Sequence, residues 1–316
     1  MVKRDDPRKH RPSDKTSHIT PDTMQRQGTK SVAEYFARSL TAFQSSGRSF
    51  ESISTLRYNG NSQERRTEKR LVVLDSSFNP PTKAHAQMAR SAIDAAAEPS
   101  RTRLVLLLAV NNADKAPKPA SFPIRLGMME AFAHDLISEL RLHSESNKAP
   151  DSYDGLEIDL AVTTLPYFHD KSRAIAESGI YPSNTEQVFL AGFDTLIRIF
   201  NPKYYGQGRP GGMKAALGPL FERARLRITT RPDDEWGTLQ EQMNYLEELK
   251  QGRLEEVGGE REWADKVDMV EGVGGAVSSS KVRDLVKGGQ LDILGDLVGE
   301  GVREWIVEEG LYRDEA

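Results

Sequence analysis

The sequence predicts an α/β protein built on a doubly wound, mostly parallel β-sheet. Two features lead to this prediction. Short apolar runs of strand length, such as those at 71–75 and 103–110, alternate with longer segments of helical character. Strand alternating with helix is typical of a parallel sheet that is covered on both faces. The stretch 71–85, LVVLDSSFNPPTKAH, joins a buried strand, a polar loop with two prolines and an Ala-rich helix. This succession is the opening unit of a nucleotide-binding fold, because the N-terminus of such a helix can bind a phosphate.

The remaining elements follow from apolar runs and from apolar stripes at helical spacing. The predicted strands span 71–75, 103–110, 156–162, 187–191, 225–230 and, more weakly, 266–270. The predicted helices span 31–43, 84–97, 122–142, 170–178, 193–200, 213–223, 235–250, 279–287 and 302–309. Because the candidate site residues come directly after strands, we expect them at the carboxyl ends of the sheet, where such folds bind ligands.

Three segments of different composition divide the chain. Residues 1–30 are charged and nearly free of large apolar groups, so we expect a disordered tail. Residues 31–69 are predicted to form a helical extension, followed by an exposed linker from residue 57 onward. The helix at 31–43 carries one apolar stripe, made of Val32, Phe36, Leu40 and Phe43. Residues 70–316 are predicted to form the α/β domain.

Composition excludes several classes of function. The net charge of −4 and the isoelectric point near 6.0 argue against broad electrostatic binding to nucleic acid or to an anionic membrane. With no cysteine, the chain has no disulfide, no thiolate metal site and no cysteine nucleophile. The apolar runs are too short to span a bilayer, and the N-terminus lacks the apolar segment of a secretory signal. We therefore expect a cytoplasmic protein, a nuclear protein or both.

The loop and helix start at 76–85, SSFNPPTKAH, resemble the signature of the nucleotidylyltransferase superfamily, G-x-F-x-P-x-H-x-G-H. The stretch matches this signature at Phe78, Pro80 and His85. Thr82 stands where many members carry the first His, a form similar to that of the eukaryotic nicotinamide mononucleotide (NMN) adenylyltransferases. Ser76 and Ala84 replace the two glycines of the signature; both are small, so a close approach of the backbone to a ligand remains feasible.

A second stretch, VSSSKVR at 277–283, resembles the second signature of the superfamily, I-S-S-T-x-x-R. It follows the first signature by about 200 residues, in the family's order. Hydroxyl groups before a helix can cap free N–H groups or bind phosphate, and an arginine can hold phosphate oxygens bidentately. The resemblance implies that Ser279, Ser280 and Arg283 hold the β- and γ-phosphates of ATP. The segment that follows, up to residue 312, is similar to the terminal helices of the family.

The resemblance implies a Rossmann-like nucleotidylyltransferase fold with a helical N-terminal extension and C-terminal helices. The implied reaction joins ATP and NMN to give NAD and pyrophosphate, by in-line attack on the α-phosphorus of ATP. His85 and Thr82 would hold the α- and β-phosphates, together with the loop residues Ser77, Phe78 and Asn79. Mg²⁺ would bridge the phosphate oxygens largely through water, so no metal site made of protein ligands is expected.

Two further stretches offer candidate binding residues. In LAGFD at 190–194, the resemblance places Gly192 and Asp194 beside the ribose of NMN, although an Asp at this position could equally just cap the helix. Between 111 and 125, cationic side chains follow a strand end. The resemblance implies one lysine in this loop and an arginine on the next helix, which leaves Lys115 and Lys118 as alternatives and assigns Arg125.

The acceptor pocket departs from the family pattern. Those enzymes carry a Trp that stacks on the nicotinamide ring, whereas here Tyr167 and Phe168 could stack instead or belong to the core. The resemblance implies NMN as the acceptor, and nicotinic acid mononucleotide is an alternative for which Lys171 or Arg173 could supply a donor. Two other functions stay open: a cytidylyltransferase-like enzyme acting on another phosphorylated acceptor, and a nucleotide-binding regulator without transfer activity. A homo-oligomer also stays open.

Overall fold

The computed structural model describes residues 28–59, 68–110, 119–146, 153–206, 211–231, 236–272 and 277–313. The strands are β1 (Phe50–Arg57), β2 (Arg70–Asp75), β3 (Thr102–Ala109), β4 (Glu157–Thr163), β5 (Glu186–Gly192), β6 (Ala224–Thr229) and β7 (Val267–Val270). The helices are α1 (Thr29–Ser46), α2 (Lys83–Asp94), α3 (Phe122–Ser146), α4 (Phe168–Glu177), α5 (Phe193–Ile199), α6 (Gly212–Arg223), α7 (Leu239–Glu248), α8 (Ser279–Lys287) and α9 (Glu300–Glu308). Short helical turns span Pro99–Arg101, Pro202–Tyr205, Leu249–Arg253, Leu254–Glu256, Arg261–Lys266 and Asp292–Asp296.

One sheet of seven strands organises the described residues, in the order β1-β4-β3-β2-β5-β6-β7. Strands β2 to β7 are all parallel, and β1 pairs antiparallel with β4 at the edge. The chain winds outward from β2 in one direction to β4 and then returns to β5 to wind the other way. The prediction of a doubly wound, Rossmann-like parallel sheet is confirmed. In such a sheet the reversal between β2 and β5 opens a crevice beyond the carboxyl ends of the strands.

The central strands are buried on both faces, and successive side chains contribute to two separate cores. Val72 and Leu74 of β2 belong to the core under α1, α2, α3, α8 and α9, whereas Leu71 and Val73 belong to the core under α4, α5, α6 and α7. This division follows from the two-residue period of a strand. It explains why these strands appear in the sequence as continuous apolar runs.

Strand β1 is the one strand of the described sheet that the sequence analysis did not predict. Its pairing with β4 is interrupted by a register shift between Ser52 and Ser54, a β-bulge. Phe50 therefore packs in one core and Leu56 in the other, although in a regular strand residues six positions apart point to the same face. With the bulge, apolar residues recur at every third position of β1. The alternation of apolar and polar residues that identifies a strand is therefore absent from the sequence. The N-terminal extension is accordingly not only helical.

Several predicted boundaries were wrong by a few residues. Helix α1 begins at Thr29 rather than 31, although its predicted stripe is buried as expected. Helix α2 ends at Asp94 rather than 97. Helix α7 begins at Leu239 rather than 235, because Thr238 and Glu241 form a capping box there. The division of the chain into a tail, an extension and a domain stays a prediction, and residues 1–27 and 60–67 lie outside the described residues.

Candidate active site

A cavity of about 600 Å³ opens at the switch point of the sheet. Its floor is formed by the carboxyl ends of β2 and β5, and its walls come from the loop after β2 and from α4 and α5. The lining residues are Leu74, Asp75, Ser76, Ser77, His85, Met88, Pro166, Tyr167, Phe168, His169, Lys171, Leu190, Ala191, Gly192, Thr195, Arg198, Ile199, Tyr204 and Tyr205. This is where the sequence analysis places the ligand site.

His85 is held in one orientation by the start of its own helix. The backbone N–H of Thr82 donates to His85 Nδ1 at 3.0 Å, and Thr82 Oγ1 lies 2.8 Å from the same nitrogen. Because an N–H must donate to Nδ1, this atom is the unprotonated one, and in the neutral ring Nε2 carries the proton. Nε2 lies 3.0 Å from Ser76 Oγ. The proton on Nε2 is therefore donated to Ser76 Oγ, and both residues line the cavity.

The charge state of His85 agrees with this assignment. Burial lowers the pKa of His85 to about 4, since the uncharged form is favoured away from water. The imidazole is therefore neutral at physiological pH. It acts on a ligand as a hydrogen-bond donor rather than as a cation.

The loop between β2 and α2 is fixed by Phe78. This residue has a positive φ of 45°, an uncommon backbone conformation for a bulky side chain. Its side chain is fully buried, and its ring centroid lies 5.7 Å from that of His85. Phe78 was predicted as a binding residue, but its ring belongs to the core. Any contribution to binding would come from its backbone and from the support that it gives His85.

The second signature meets the first at this loop. Ser279 Oγ donates to the carbonyl of Pro80 at 2.7 Å, and Arg283 Nη1 donates to the carbonyl of Asn79 at 2.8 Å. Arg283 Nη2 also donates to Ser280 Oγ at 3.0 Å. Residues about 200 positions apart in the sequence are thus joined beside the N-terminus of α2.

Arg125 adds a second guanidinium to the same loop. Its Nη1 lies 3.4 Å from the carbonyl of Ser77, and its Nε donates to the carbonyl of Ala120 at 2.9 Å. Burial lowers the pKa of Arg125, and the positive charge of Arg283 lowers it further. Two guanidinium groups and a helix N-terminus therefore converge, which is an arrangement that binds a polyphosphate.

Gly192 and Asp194 lie at the end of β5, as the sequence analysis expected. Gly192 lines the cavity, and a Cβ at this position would lie 2.8 Å from Asp194 Oδ1. A larger residue would therefore displace the carboxylate. Asp194 forms an ion pair with Arg198 one turn later on α5, and Arg198 lines the cavity. The carboxylate is thus oriented along α5, beside the cavity wall.

The two aromatic candidates of the acceptor pocket differ in their surroundings. Both line the cavity. Phe168 packs edge-on against the buried Phe189, with ring centroids 5.4 Å apart, and the Lys171 Nζ lies 5.5 Å from its centroid. Tyr167 is 39% exposed and stacks on His169, with ring centroids 5.6 Å apart. Tyr167 therefore offers more ring surface to a ligand than Phe168 does.

Sequence reasoning missed several residues that line the cavity. Asp75 ends β2 and forms an ion pair with Lys171 of α4, and both side chains are almost fully buried. Tyr204 and Tyr205, from the turn after α5, add two more rings. One signal was available in the sequence, because Asp75 is a charged residue that directly follows an apolar strand.

A curated relative decides the family of the chain. The protein named "Putative nicotinamide mononucleotide adenylyltransferase" of Schizosaccharomyces pombe is 33% identical over 226 residues, which cover 71% of this chain and 78% of that protein. The chain belongs to the NMN adenylyltransferase family. No protein-family model matches it. Crystal structures of Plasmodium falciparum nicotinic acid mononucleotide adenylyltransferase, complexed with APC and with NaAD, have TM-scores of 0.46 at 13% and 14% identity, and each match covers 78% of this chain and 98% of that one.

Only some of the site residues predicted from the sequence line the cavity of this adenylyltransferase. Ser77, His85, Tyr167, Phe168 and Gly192 line it. A second group belongs to the loop between β2 and α2 or contacts it. Its members are Asn79, Thr82, Arg125, Ser279, Ser280 and Arg283. Lys115 and Lys118 lie outside the described residues.

The described part of this adenylyltransferase contains no group of three or more His, Asp or Glu side chains that could hold a metal ion. Among the residues that line the cavity, Asp75 is the one carboxylate, and Lys171 neutralises it. None of the described helices is long and apolar enough to cross a membrane.

Proposed function

We propose that the chain transfers the adenylyl group of ATP to NMN, giving NAD and pyrophosphate. A phosphate oxygen of NMN attacks the α-phosphorus of ATP, and the bond from that phosphorus to the bridging oxygen of the β-phosphate breaks. The observation that carries this proposal is the position of His85. His85 lines the cavity at the switch point, its Nε2–H is held by a Ser76 hydroxyl that a phosphate oxygen would replace, and it follows the loop that Arg125 and Arg283 contact.

The residues of the chain act by position and charge, because phosphoryl transfer of this kind needs no protein nucleophile. A neutral His85 donates a hydrogen bond to an oxygen of the α-phosphate without binding a proton itself. Arg283 and Arg125 stabilise the negative charge that accumulates on the departing pyrophosphate. The hydroxyls of Ser279 and Ser280 lie at the same loop and would bind the outer phosphates.

Mg²⁺ belongs to this proposal as a companion of ATP. The neutralised Asp75 is a poor metal ligand, so the ion would be held by phosphate oxygens and water. It would supply further charge neutralisation on the phosphates. Loss of turnover on chelation of Mg²⁺, with recovery on its addition, is the expected result.

The test is a direct assay of the purified chain with ATP, Mg²⁺ and NMN, in which NAD and pyrophosphate are both measured. Equal amounts of the two products are expected. His85→Ala and Arg283→Ala serve as controls for contaminating activity, since both should lose turnover. If a product forms from CTP and a phosphorylated alcohol but none forms from ATP and NMN, the chain is a cytidylyltransferase and this proposal is wrong. ATP binding without any transfer would favour a regulator.

The cellular location and the assembly state complete the proposal. We propose that the chain is a cytoplasmic protein, a nuclear protein or both. Imaging of the tagged full chain tests the location. Light scattering of the purified chain decides whether it forms a homo-oligomer.

A further inference from the structure

The buried ion pair between Asp75 and Lys171 has uncommitted groups that face the cavity. Lys171 is 4% exposed and donates one hydrogen bond to Asp75 Oδ2. Among the described residues, the carboxylate of Asp75 receives no further hydrogen bond, and the Lys171 ammonium makes no second one. Both residues line the cavity. The pair therefore presents one free acceptor oxygen and N–H donors side by side.

A buried pair of this kind calls for an explanation. Removing two charges from water costs more than their attraction returns unless further hydrogen bonds satisfy them, so such a pair is not retained for stability alone. Burial raises the pKa of Asp75, while the charge of Lys171 and its hydrogen bond oppose that rise. Charged pairs that are held dry in a cleft are characteristic of binding sites.

Helix α4 places this pair next to the exposed aromatic ring of the cavity. Tyr167 is the N-cap residue of α4, and its carbonyl accepts a hydrogen bond from the Lys171 N–H at 3.0 Å, so the two residues are one turn apart, and both side chains line the same cavity. The Lys171 ammonium covers Phe168 rather than Tyr167. A flat ring stacked on Tyr167 would have its substituent in the cavity that Asp75 and Lys171 also line.

We propose that the Asp75–Lys171 pair reads the substituent on the pyridine ring of the mononucleotide and selects the amide over the acid. This inference rests on the proposed function. A carboxamide has one acceptor oxygen and one NH₂ donor, which match the Lys171 ammonium and the free oxygen of Asp75. A carboxylate has two acceptor oxygens and a negative charge, so one oxygen faces the carboxylate of Asp75 and is repelled.

The test compares NMN with nicotinic acid mononucleotide in two assays, kcat/KM with saturating ATP and direct binding by calorimetry. The wild-type chain should prefer NMN by at least about tenfold, the discrimination expected of a matched hydrogen-bonding site. Asp75→Asn removes the repulsion, keeps an acceptor and nearly keeps the shape. It should reduce the preference by about tenfold, mainly by improving the acid.

Lys171→Met should shift the preference in the opposite direction. The carboxylate ligand loses its cation, so the acid should weaken about tenfold more than the amide. The matched control is Arg173→Met on the same helix. The sequence analysis offered Arg173 as a donor to the acid, but its guanidinium is exposed, pairs with Asp170 and is not among the residues that line the cavity. It should leave the preference unchanged. Melting temperatures of all three variants establish that they are folded.

Outcomes for the two proposals can be told apart. The inference would be overturned if Asp75→Asn and Lys171→Met both preferred NMN over the acid to within twofold of the Arg173→Met value. A wild-type preference for the acid would also overturn it. If both mononucleotides bind and the two variants shift the binding preference in opposite directions, the inference is supported. If no dinucleotide is formed in the same experiment, the proposal of adenylyl transfer fails. Absence of binding by either mononucleotide would overturn both.

Discussion

The position of the proton on His85 shows how a single residue sets the hydrogen-bonding properties of this site. A histidine that caps its own helix with Nδ1 must carry its proton on Nε2, provided that the ring is neutral. Burial ensures neutrality by lowering the pKa to about 4. The donor is therefore present across the whole physiological range of pH. A histidine with an ordinary pKa would change its charge close to that range, and the phosphate site would change with it.

Replacement of His85 by Ala should lower kcat by a factor of about 10²–10³, the usual loss when one donor to developing charge is removed. Steady-state kinetics with ATP and NMN measure the effect. His134→Ala is the matched control, because this histidine is also half-buried but lies on α3 and does not line the cavity. A turnover within threefold of wild type for His85→Ala would refute the placement of the α-phosphate beside this ring.

Arg283 gives a second test at this scale, because its guanidinium contacts the loop that we propose binds the phosphates of ATP. Arg283→Ala should raise the KM for ATP and lower kcat, since a bidentate cation is lost. Arg283→Lys should restore only part of the activity, because a point charge lacks the planar fork. ATP titrations of both variants measure this. If Arg283→Ala leaves both constants unchanged, VSSSKVR is an ordinary capped helix start.

At the scale of elements, the sequence predicted most strands and helices because their signals are local. The central strands are buried on both faces, so each appears as a continuous apolar run. Strand β1 was missed because its bulge exists only in the pairing with β4. Its docking also depends on distant partners: Thr55 Oγ1 and Arg103 both donate to the fully buried Asp159. No local pattern announces such a network.

Helix α9 is another element whose start depends on a residue far away in the chain. Its N-cap, Gly299, has no side chain, and Asp135 of α3 accepts hydrogen bonds from the N–H groups of Gly301 and Val302 instead. A Cβ on Gly299 would lie 2.1 Å from Asp135 Oδ2, so glycine leaves room for the carboxylate. Oδ2 itself is buried without a hydrogen-bond partner among the described residues.

This arrangement predicts a pH-dependent stability. Burial raises the pKa of Asp135 to about 6 from 3.8, so the folded chain binds the proton more tightly than the unfolded chain. The stabilising effect of protonation is complete below pH 3.8 and is lost as the pH rises through 6. Asp135→Asn removes the charge and keeps the acceptor. It should raise the free energy of unfolding by about 1–2 kcal/mol at pH 7.5, and the gain should disappear near pH 4.

Urea unfolding at the two pH values checks this prediction. Asp135→Ala is the control, because it removes the charge and the acceptor together and should be less stable than Asp135→Asn at both values. An Asp135→Asn variant that is less stable than wild type at pH 7.5 would show that the negative charge at the start of α9 is favourable after all.

At the scale of the whole molecule, the proposed phosphate site is assembled from segments that are about 200 residues apart in the sequence. The loop after β2 is bonded to the start of α8 by Ser279 and Arg283, and the backbone N–H of Lys83 donates to the carbonyl of Leu297 at 2.8 Å. The sequence could indicate both signatures, since each has a recognisable residue order. It could not indicate Asp75 with Lys171, because a pair 96 residues apart becomes a pair only in the fold.

The most distant of these links provides the last prediction. The hydroxyl of Tyr312 donates to Asn79 Oδ1 at 2.9 Å across 233 residues, so Tyr312 anchors the loop between β2 and α2, which we propose binds the phosphates of ATP. Tyr312→Phe should lower the free energy of unfolding by about 1–2 kcal/mol, the cost of a lost buried hydrogen bond. It should also raise the KM for ATP several-fold and leave that for NMN nearly unchanged.

Tyr181→Phe separates the effect on the loop from a general loss of stability. Its hydroxyl donates to Asp159 Oδ2 at 2.6 Å, toward the amino ends of the strands and away from the cavity. Stability should fall at least as much as in Tyr312→Phe, because the lost bond is to a buried carboxylate. Both KM values should stay at the wild-type level. If the two variants change the KM for ATP equally, the link to Asn79 is merely structural, and the chain end has no specific part in holding ATP.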